Sequence, residues 1–388
     1  MRSTGFGAGS STHPVPSIAV GEAVGEVLER VGSHSDLVIV FATPDLTGTL
    51  EEMLGVVRAV LKPKVLLGCT AASVFANGVA IENRQGVSLW AGQVGESVPF
   101  VLEASESVAA DEEPDIRSST DLDAAAEGAS ALLVFGDPYS FPAERWLRRA
   151  QERWPGLPVV GGLASAASGP GGNRFSVNER VLTGGAIGLF FKGPTDIETV
   201  ISQGCRPLGQ AFTVTLAERN VIYELGGISA TGRLDAIVAG LSESERRPLR
   251  AGVHLGLVIN EHQLDFDRGD FLIRSVLGAD RSRGALAVDS EVPVGTTVQF
   301  HSRDDVSAAI DLEERVNDAI SRSPVRGVLL FSCTGRGPRL FSGADHDAQR
   351  VYGLATAPLG GMACRGEFGS VAGANLVHTF SASMALFR

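Results

Sequence analysis

A cysteine and an arginine share a glycine-rich turn that follows an apolar run. The run GVLLFS predicts a buried strand, and the CTGRG turn directly after it would place the Cys333 thiol and the Arg336 guanidinium at the strand end. Gly335 and Gly337 would leave backbone N–H groups open to a ligand. Because a guanidinium binds carboxylates and phosphates through paired hydrogen bonds, the turn predicts an anion-binding site. The alternative is that Arg336 pairs with a structural acid such as Glu367.

A second group of polar residues lies near the C-terminus. Arg365, Glu367, Asn375 and His378 flank a glycine-rich stretch, GSVAGA, that predicts a hairpin. The hairpin could bring these residues near the Cys333 turn, so we predict that Glu367, Asn375 and His378 bind the same ligand. Histidine titrates near neutral pH and ligates haem iron in many proteins, so His378 could bind iron. The alternative is a structural histidine at the start of a strand.

One arginine interrupts an apolar run. Arg274 lies within FLIRSVL, which otherwise predicts a buried strand. A charged side chain on such a strand must be paired or must face a cavity. We therefore add Arg274 to the predicted ligand-binding residues.

Residue types for nucleophilic catalysis are present but are separated in sequence. Cys333, His378 and Glu367 could serve as a nucleophile, a base and an orienting acid. Their separation along the sequence does not show whether they meet in space. The chain has no GxSxG, HExxH or P-loop motif, and its other histidines have no recognised metal-binding spacing. We therefore expect no catalytic residues and no metal site, and keep a cysteine-dependent enzyme as a less favoured alternative.

Charge and cysteine content narrow the class of protein. The formal charge of −12 repels phosphate backbones, so we expect no nucleic-acid partner. The four cysteines form no CxxC pair, which fits free thiols in a reducing compartment. The first sixteen residues lack the apolar core of a secretion signal, and no long apolar run follows. These features predict a cytoplasmic protein without membrane insertion.

One pattern of elements occurs three times. Each copy has an apolar strand that ends in phenylalanine, then a helix-compatible stretch, a second strand with a turn glycine, and a later apolar strand. The interval from the phenylalanine to the glycine is similar in the three copies: 27 residues from Phe41 to Gly68, 26 from Phe135 to Gly161 and 29 from Phe331 to Gly360. The glycines either open a ligand site or permit close packing.

These elements predict an α/β fold. The strands are continuously apolar, so both faces of each sheet should be covered. A helix-length spacer fits a parallel crossover, whereas the later segments fit antiparallel hairpins. We therefore predict two fused domains of mixed β-sheets flanked by helices, with internally repeated β-α-β-β units. At 388 residues the chain is long enough for two cores. Residues 1–16, rich in Ser, Thr, Gly and Pro, are predicted to be a flexible segment.

Nearly the whole chain resembles the FIST family, which is named for its occurrence in F-box and intracellular signal-transduction proteins. The resemblance depends on several motifs in a fixed order: VIVFATP, VLLGCTAAS, VVGGLAS, GCRPLGQAFTVT, FDRGDFLIRSVLGAD, VPVGTTVQF, LLFSCTGRGPRLF and GGMACRGEFGSVAGANLVHTFSASMALF. It implies a FIST N-terminal domain over residues 17–227 and a FIST C-terminal domain over residues 228–388.

The resemblance also implies a function. Members of the family are expected to bind small molecules, amino acids among them, and to act with signalling proteins such as kinases or cyclic-nucleotide enzymes. We therefore expect a sensory protein whose ligand is an amino acid or a similar anionic metabolite. The alternative that the family offers is a haem-binding nitric-oxide sensor, in which haem is a possible cofactor but not a required one.

Overall fold

The computed structural model describes residues 5–104, 116–193, 196–263 and 265–388, and the chain divides into two compact units. Unit 1 comprises the described residues of Met1–Ile201, Leu312–Val377 and Ser381–Arg388. Unit 2 comprises those of Ser202–Asp311 and His378–Phe380. This division differs from the predicted boundary at residue 227, because the third copy of the repeat folds with the first two.

The mixed α/β class is confirmed. The α-helices are α1 (Pro16–Val31), α2 (Leu50–Leu61), α3 (Leu122–Ala126), α4 (Ala143–Arg153), α5 (Ala230–Gly240), α6 (Glu243–Arg246), α7 (Asp305–Arg322) and α8 (His346–Ala355), and short 3-10 helices cover Pro44–Thr49, Pro248–Ala251 and Gly337–Arg339. In the described part of the chain no helix is both long and apolar enough to cross a membrane.

The strands up to residue 202 are β1 (Phe6–Ser11), β2 (Leu37–Ala42), β3 (Val65–Thr70), β4 (Ser73–Ala76), β5 (Val79–Glu82), β6 (Val87–Gly92), β7 (Ser97–Ala104), β8 (Ile116–Arg117), β9 (Ala131–Gly136), β10 (Val159–Leu163), β11 (Phe175–Val177), β12 (Arg180–Leu182), β13 (Ala186–Phe191) and β14 (Ile197–Ser202). The later strands are β15 (Cys205–Glu218), β16 (Val221–Leu225), β17 (Ile228–Ser229), β18 (His254–Val258), β19 (Phe271–Asp280), β20 (Ala285–Val288), β21 (Thr297–Arg303), β22 (Gly327–Cys333), β23 (Leu359–Cys364), β24 (Glu367–Val371), β25 (Ala374–His378) and β26 (Ala382–Phe387).

The N-terminal segment, predicted to be flexible over residues 1–16, contains strand β1 and reaches the first residue of α1. Strand β1 is paired antiparallel with β6 and is mostly buried. A Cβ atom at Gly9 would lie 2.6 Å from the Ala23 carbonyl oxygen of α1. The glycines of this strand therefore permit close strand-to-helix packing.

The three copies of the repeat form three equivalent sheets in unit 1. The predicted parallel pairs are present as β2–β3, β9–β10 and β22–β23. An antiparallel strand flanks each pair, namely β6, β13 and β26 respectively. The register aligns Phe41 with Cys69, Phe135 with Gly162 and Phe331 with Met362.

Each copy gives its hairpin to the sheet of another copy. The β4–β5 hairpin of the first copy adds to β23, the β11–β12 hairpin of the second adds to β3, and the β24–β25 hairpin of the third adds to β10. This cyclic exchange gives unit 1 a pseudo-threefold arrangement. It also explains why residues 312–377 belong to the same compact unit as the N-terminal half.

The sheets of unit 1 share one apolar core. Phe135 lies with its ring centroid 5.6 Å from that of Phe41 and 5.6 Å from that of Phe331, which joins the three copies. Helices cover the other face of each sheet: α1 and α2 pack on the first, α3 and α4 on the second, and α7 and α8 on the third. Burial on both faces explains the continuous apolar strands.

Unit 2 is a closed antiparallel barrel. Its strands follow the order β15, β21, β18, β19, β20 and β16, and β16 pairs again with β15. Apolar side chains fill it, among them Phe212, Leu255, Leu286 and Phe300. Closure leaves no open edge among these six strands.

Candidate functional site

A cavity of about 450 Å³ opens in unit 1 at the ends of β22 and β23. Its size suits a small metabolite. The polar residues that line it come from all three copies of the repeat: Ser73, Glu82, Asn83, Ser165, Ser332, Cys333, Thr334, Arg336, Arg339, Asp347 and Arg365.

Arg336 forms a buried ion pair with Asp347 on the wall of this cavity. The Arg336 Nε atom donates to one Asp347 oxygen at 2.6 Å and Nη2 donates to the other at 2.9 Å. The side chains of Arg336 and Asp347 are 0% and 4% exposed. We predicted that Arg336 would clasp the ligand, or alternatively pair with Glu367, but its paired donors are engaged by Asp347. Asp347 lies in the first turn of α8 and carries no signal in the sequence that would have identified it.

Further donors hold the Asp347 carboxylate ionised. Ser332 Oγ donates to it at 2.6 Å, and His346 Nδ1 lies 3.0 Å from its other oxygen. Burial alone would raise the pKa of Asp347, but the Arg336 charge and these hydrogen bonds hold it well below its usual range. The His346 ring stacks on Phe341, with 3.5 Å between centroids. The ion pair is thus a rigid part of the cavity wall.

The Cys333 turn has the geometry that its sequence predicts. Cys333 ends β22 and is 8% exposed at the cavity. The Gly335 N–H donates to the Cys333 sulfur at 3.4 Å. Gly337 has a φ of +56°, which favours glycine, and a Cβ there would lie 3.7 Å from Glu82 Oε2.

Glu367 is a fully buried carboxyl group beneath this turn. Its Oε2 atom accepts hydrogen bonds from Ser381 Oγ at 2.7 Å and from the Ser381 N–H at 3.2 Å. Oε1 has no partner in hydrogen-bond geometry, although the Cys333 thiol is close enough to favour the ionised form. Burial outweighs these groups and raises the pKa of Glu367 to about 8. The carboxyl group is therefore mostly protonated at neutral pH.

Three further charged residues lie at the cavity: Glu82 and Arg339, which we had not predicted, and Arg365, which the sequence places on the hairpin near the Cys333 turn. Glu82 is half-buried, and burial raises its pKa although the Arg339 charge opposes that shift. Arg365 donates to the Ala167 carbonyl at 2.7 Å and lies over the Tyr139 ring. Glu82 comes from the hairpin of the first copy, so only the exchange of hairpins brings it beside the third copy.

Asn375 does not line the cavity. Its Oδ1 accepts from the Val159 N–H at 3.0 Å, and its Nδ2 donates to the Leu157 carbonyl at 2.9 Å. These bonds fix the start of β10 against the β24–β25 hairpin. Asn375 thus has a structural role outside this cavity, and its predicted ligand contact stays a prediction.

Arg274 and His378 belong to unit 2. Arg274 is 6% exposed, and the register places it opposite Leu255 of the barrel core. His378 is 1% exposed at the end of β25. Neither unit by itself contains the catalytic triad written from Cys333, His378 and Glu367. Haem binding by His378 stays a prediction that a visible absorption spectrum would test.

Two other histidines face each other across the barrel strands. His254 and His301 are register partners on β18 and β21. Burial lowers the pKa of His254 to about 4, and the Arg303 charge adds to this shift. Burial likewise lowers the pKa of His301 to about 4, against a hydrogen bond with the Gln299 carbonyl. Both rings are therefore neutral at physiological pH.

Comparison with known proteins confirms the resemblance. The sequence pattern of the FIST N domain matches residues 36–228, and that of the FIST C domain matches residues 233–370. A protein of Mycobacterium tuberculosis strain H37Rv, described as uncharacterised, is 37% identical over 390 residues, which cover 98% of this chain and 99% of that protein. An uncharacterised protein of Mycobacterium bovis is also 37% identical, with 98% of both chains covered.

Proposed function

This chain belongs to the FIST family, and we propose that it is a sensory protein whose unit 1 cavity binds an amino acid or a similar anionic metabolite. FIST domains are associated with sensing in signal transduction, which supports the general class. The choice of ligand is supported by the chemistry of the cavity.

One observation carries the proposal: acidic and basic side chains line the same small cavity. Glu82 supplies a half-buried carboxylate, whereas Arg339 and Arg365 supply guanidinium groups. Arg336 and Asp347 neutralise each other, so they add little net charge. An amino acid fits this pattern because its ammonium group would pair with Glu82 and its carboxylate with the arginines.

The ion pair of Arg336 with Asp347 would serve the ligand indirectly. It holds the Cys333 turn against the start of α8, and the 3-10 helix that carries Arg339 follows at once. Because the cavity wall is already rigid, fewer side chains have to be immobilised when the ligand binds, which lowers the entropic cost of binding. We propose that the bound state is read by a signalling protein, such as a kinase or a cyclic-nucleotide enzyme.

Isothermal calorimetry with the twenty standard amino acids tests the ligand. We expect at least one to bind, and the same compound to stabilise the folded chain by about 2.7 kcal/mol at a concentration of 100 Kd. Glu82→Gln and Arg339→Gln should each weaken binding at least tenfold. The analogue of that ligand without its amino group should bind the wild type more weakly than the amino acid does. Its affinity should be the same for Glu82→Gln as for the wild type.

Glu179→Gln and Arg149→Gln are matched controls, because both residues are exposed and neither lines the cavity. They should leave affinity unchanged. An absence of binding by all amino acids and by their deaminated analogues would contradict the proposal, as would binding that neither Glu82→Gln nor Arg339→Gln weakens.

A further inference from the structure

Two cysteines lie side by side on neighbouring strands, Cys333 at the cavity and Cys364 beneath it. Cys333 on β22 and Cys364 on β23 are register partners on adjacent parallel strands, so both side chains lie on one face of the sheet. Neighbouring strands are about 4.8 Å apart, which is within the range of Cα separations, about 4.4–6.8 Å, that disulfides span. These two thiols are therefore close enough to be joined by a small movement of the strand ends.

The two cysteines differ in access. Cys333 lines the cavity, whereas Cys364 is 0% exposed beneath it. The Gly335 N–H points at the Cys333 sulfur, and hydrogen-bond donation favours a thiolate. A small oxidant that enters the cavity would thus contact Cys333 first, and the buried Cys364 thiol lies next to it.

Packing of the sheet does not require the neighbouring carboxyl group of Glu367. Glu367 lies opposite Gly162, and the equivalent hairpin positions in the other copies hold Phe175 opposite Cys69 and Val74 opposite Met362. An apolar side chain therefore satisfies the fold at this position, and a buried carboxyl group costs stability. Its Oε1 atom, which has no hydrogen-bond partner, is available for proton transfer.

Gly162 leaves room for the second thiol. A Cβ atom at Gly162 would lie 2.6 Å from the Cys364 sulfur. Glu367 is near enough to Cys364 to contribute to its raised pKa, after the larger effect of burial. One carboxyl group thus adjoins both sulfur atoms.

We propose that Cys333 and Cys364 are a peroxide-reactive pair that forms a disulfide, with Glu367 as the proton-transfer group. In the first step the Cys333 sulfur attacks a hydroperoxide while its proton passes to the leaving oxygen: an S–O bond and an O–H bond form, the O–O and S–H bonds break, and an alcohol or water leaves. In the second step the Cys364 sulfur attacks the Cys333 sulfenic acid, so that the S–S bond forms and the S–O bond breaks.

Glu367 keeps the second step neutral. Its carboxyl proton goes to the departing hydroxide, and Oε1 accepts the proton of Cys364. The sum is two thiols and one hydroperoxide giving a disulfide, an alcohol or water, and one further water. This activity does not depend on amino-acid binding, so either one can fail without the other.

Hydrogen peroxide and a tryptic map of the full chain test the proposal. The reduced protein receives one equivalent of hydrogen peroxide, is alkylated after denaturation, and is digested without reductant. Cys333, Cys364 and Cys69 fall in separate peptides, residues 327–336, 351–365 and 65–84. We expect the disulfide between the first two peptides to be the main oxidation product. A disulfide that includes Cys69 instead, irreversible Cys333 oxidation without a cross-link, or no oxidation of Cys333 would each overturn it.

Variants separate the two steps. Cys364→Ala should stop at a Cys333 sulfenic acid that dimedone traps, and Cys333→Ser should slow peroxide consumption at least tenfold. Glu367→Gln should leave the first step unchanged and slow disulfide formation at least tenfold, since positioned acid–base groups contribute at least that much. Cys205→Ser, in unit 2, is the control and should behave as the wild type. Equal rates of disulfide formation in Glu367→Gln and the wild type would remove Glu367 from the mechanism.

Discussion

Glu367 occupies, on β24, the position that Val74 occupies on β4. Each residue lies opposite the strand position that pairs with the repeat phenylalanine, Phe135 in one sheet and Phe331 in the other. The pseudo-threefold arrangement thus places a carboxyl group and an isopropyl group in equivalent, fully buried environments. Because only one of the two groups can ionise, the stability of unit 1 should depend on pH through Glu367.

The stability of unit 1 should fall as pH rises, because of Glu367. Its folded pKa of about 8 is above its ordinary value of 4.5, so the folded state holds a proton that the unfolded state releases. Between pH 5.5 and 7.5 this difference in proton binding should lower the free energy of unfolding of the wild type by about 3 kcal/mol relative to that of Glu367→Gln. Trp90, Trp146 and Trp154 all lie in unit 1, so tryptophan fluorescence during urea unfolding reports it. A difference that does not change with pH would contradict the raised pKa, and Glu51→Gln, an exposed site, is the control.

Separating Arg336 from Asp347 should destabilise unit 1 severely. Asp347→Asn or Arg336→Met leaves one buried charge without its counterpart, which costs about 3–5 kcal/mol. The double variant Arg336→Met, Asp347→Leu should recover most of this loss, since an apolar pair replaces both charges. Arg153→Met removes an exposed partner of Asp123 and should cost less than about 1 kcal/mol. Single variants that unfold at the wild-type urea midpoint would show that the pair contributes nothing.

Acid should weaken the barrel through its two histidines. The pKa values of His254 and His301 are lowered from 6.5 to about 4, so the unfolded state takes up protons first as pH falls below 6.5. At pH 5 each histidine should cost about 2 kcal/mol relative to pH 7. Cys205 is 1% exposed, so its alkylation at increasing urea concentration reports barrel unfolding.

The variants His254→Gln and His301→Gln should each remove their part of this pH dependence. His34→Gln, at an exposed site, should leave it intact. If both barrel variants keep the full wild-type loss between pH 7 and pH 5, the histidines are not its source.

Gly161 should not tolerate a side chain. It has a φ of +127°, and a Cβ atom would lie 2.0 Å from the Val134 carbonyl oxygen. We expect Gly161→Ala to destabilise unit 1 by more than about 3 kcal/mol, measured by urea unfolding. Gly21→Ala is the control, because its Cβ would meet nothing within 4 Å on α1 and should stabilise the helix by about 0.5–1 kcal/mol. A folded Gly161→Ala variant of wild-type stability would contradict the steric reading.

Local sequence patterns were sufficient to predict the secondary-structure elements and to identify the family. Apolar runs that end in Phe41, Phe135 and Phe331 predicted three β-α-β-β copies, because burial on both faces removes polar residues from a strand. The spacing from each phenylalanine to its glycine predicted the parallel crossovers. The Cys333 turn was also correctly placed at a strand end, because local backbone preferences alone specify such a turn.

Which residues meet at the cavity depends on how the three sheets assemble. Hairpin exchange brings Glu82 of the first copy to the Cys333 turn of the third, and no local pattern encodes a pairing across some 250 residues. The partner of Arg336 was likewise undetermined, since Glu367 and Asp347 are both acidic and differ only in where the packed helix α8 places them. Composition and periodicity predict which side chains of a segment are buried. The residues that a buried polar group contacts depend instead on how the sheets assemble.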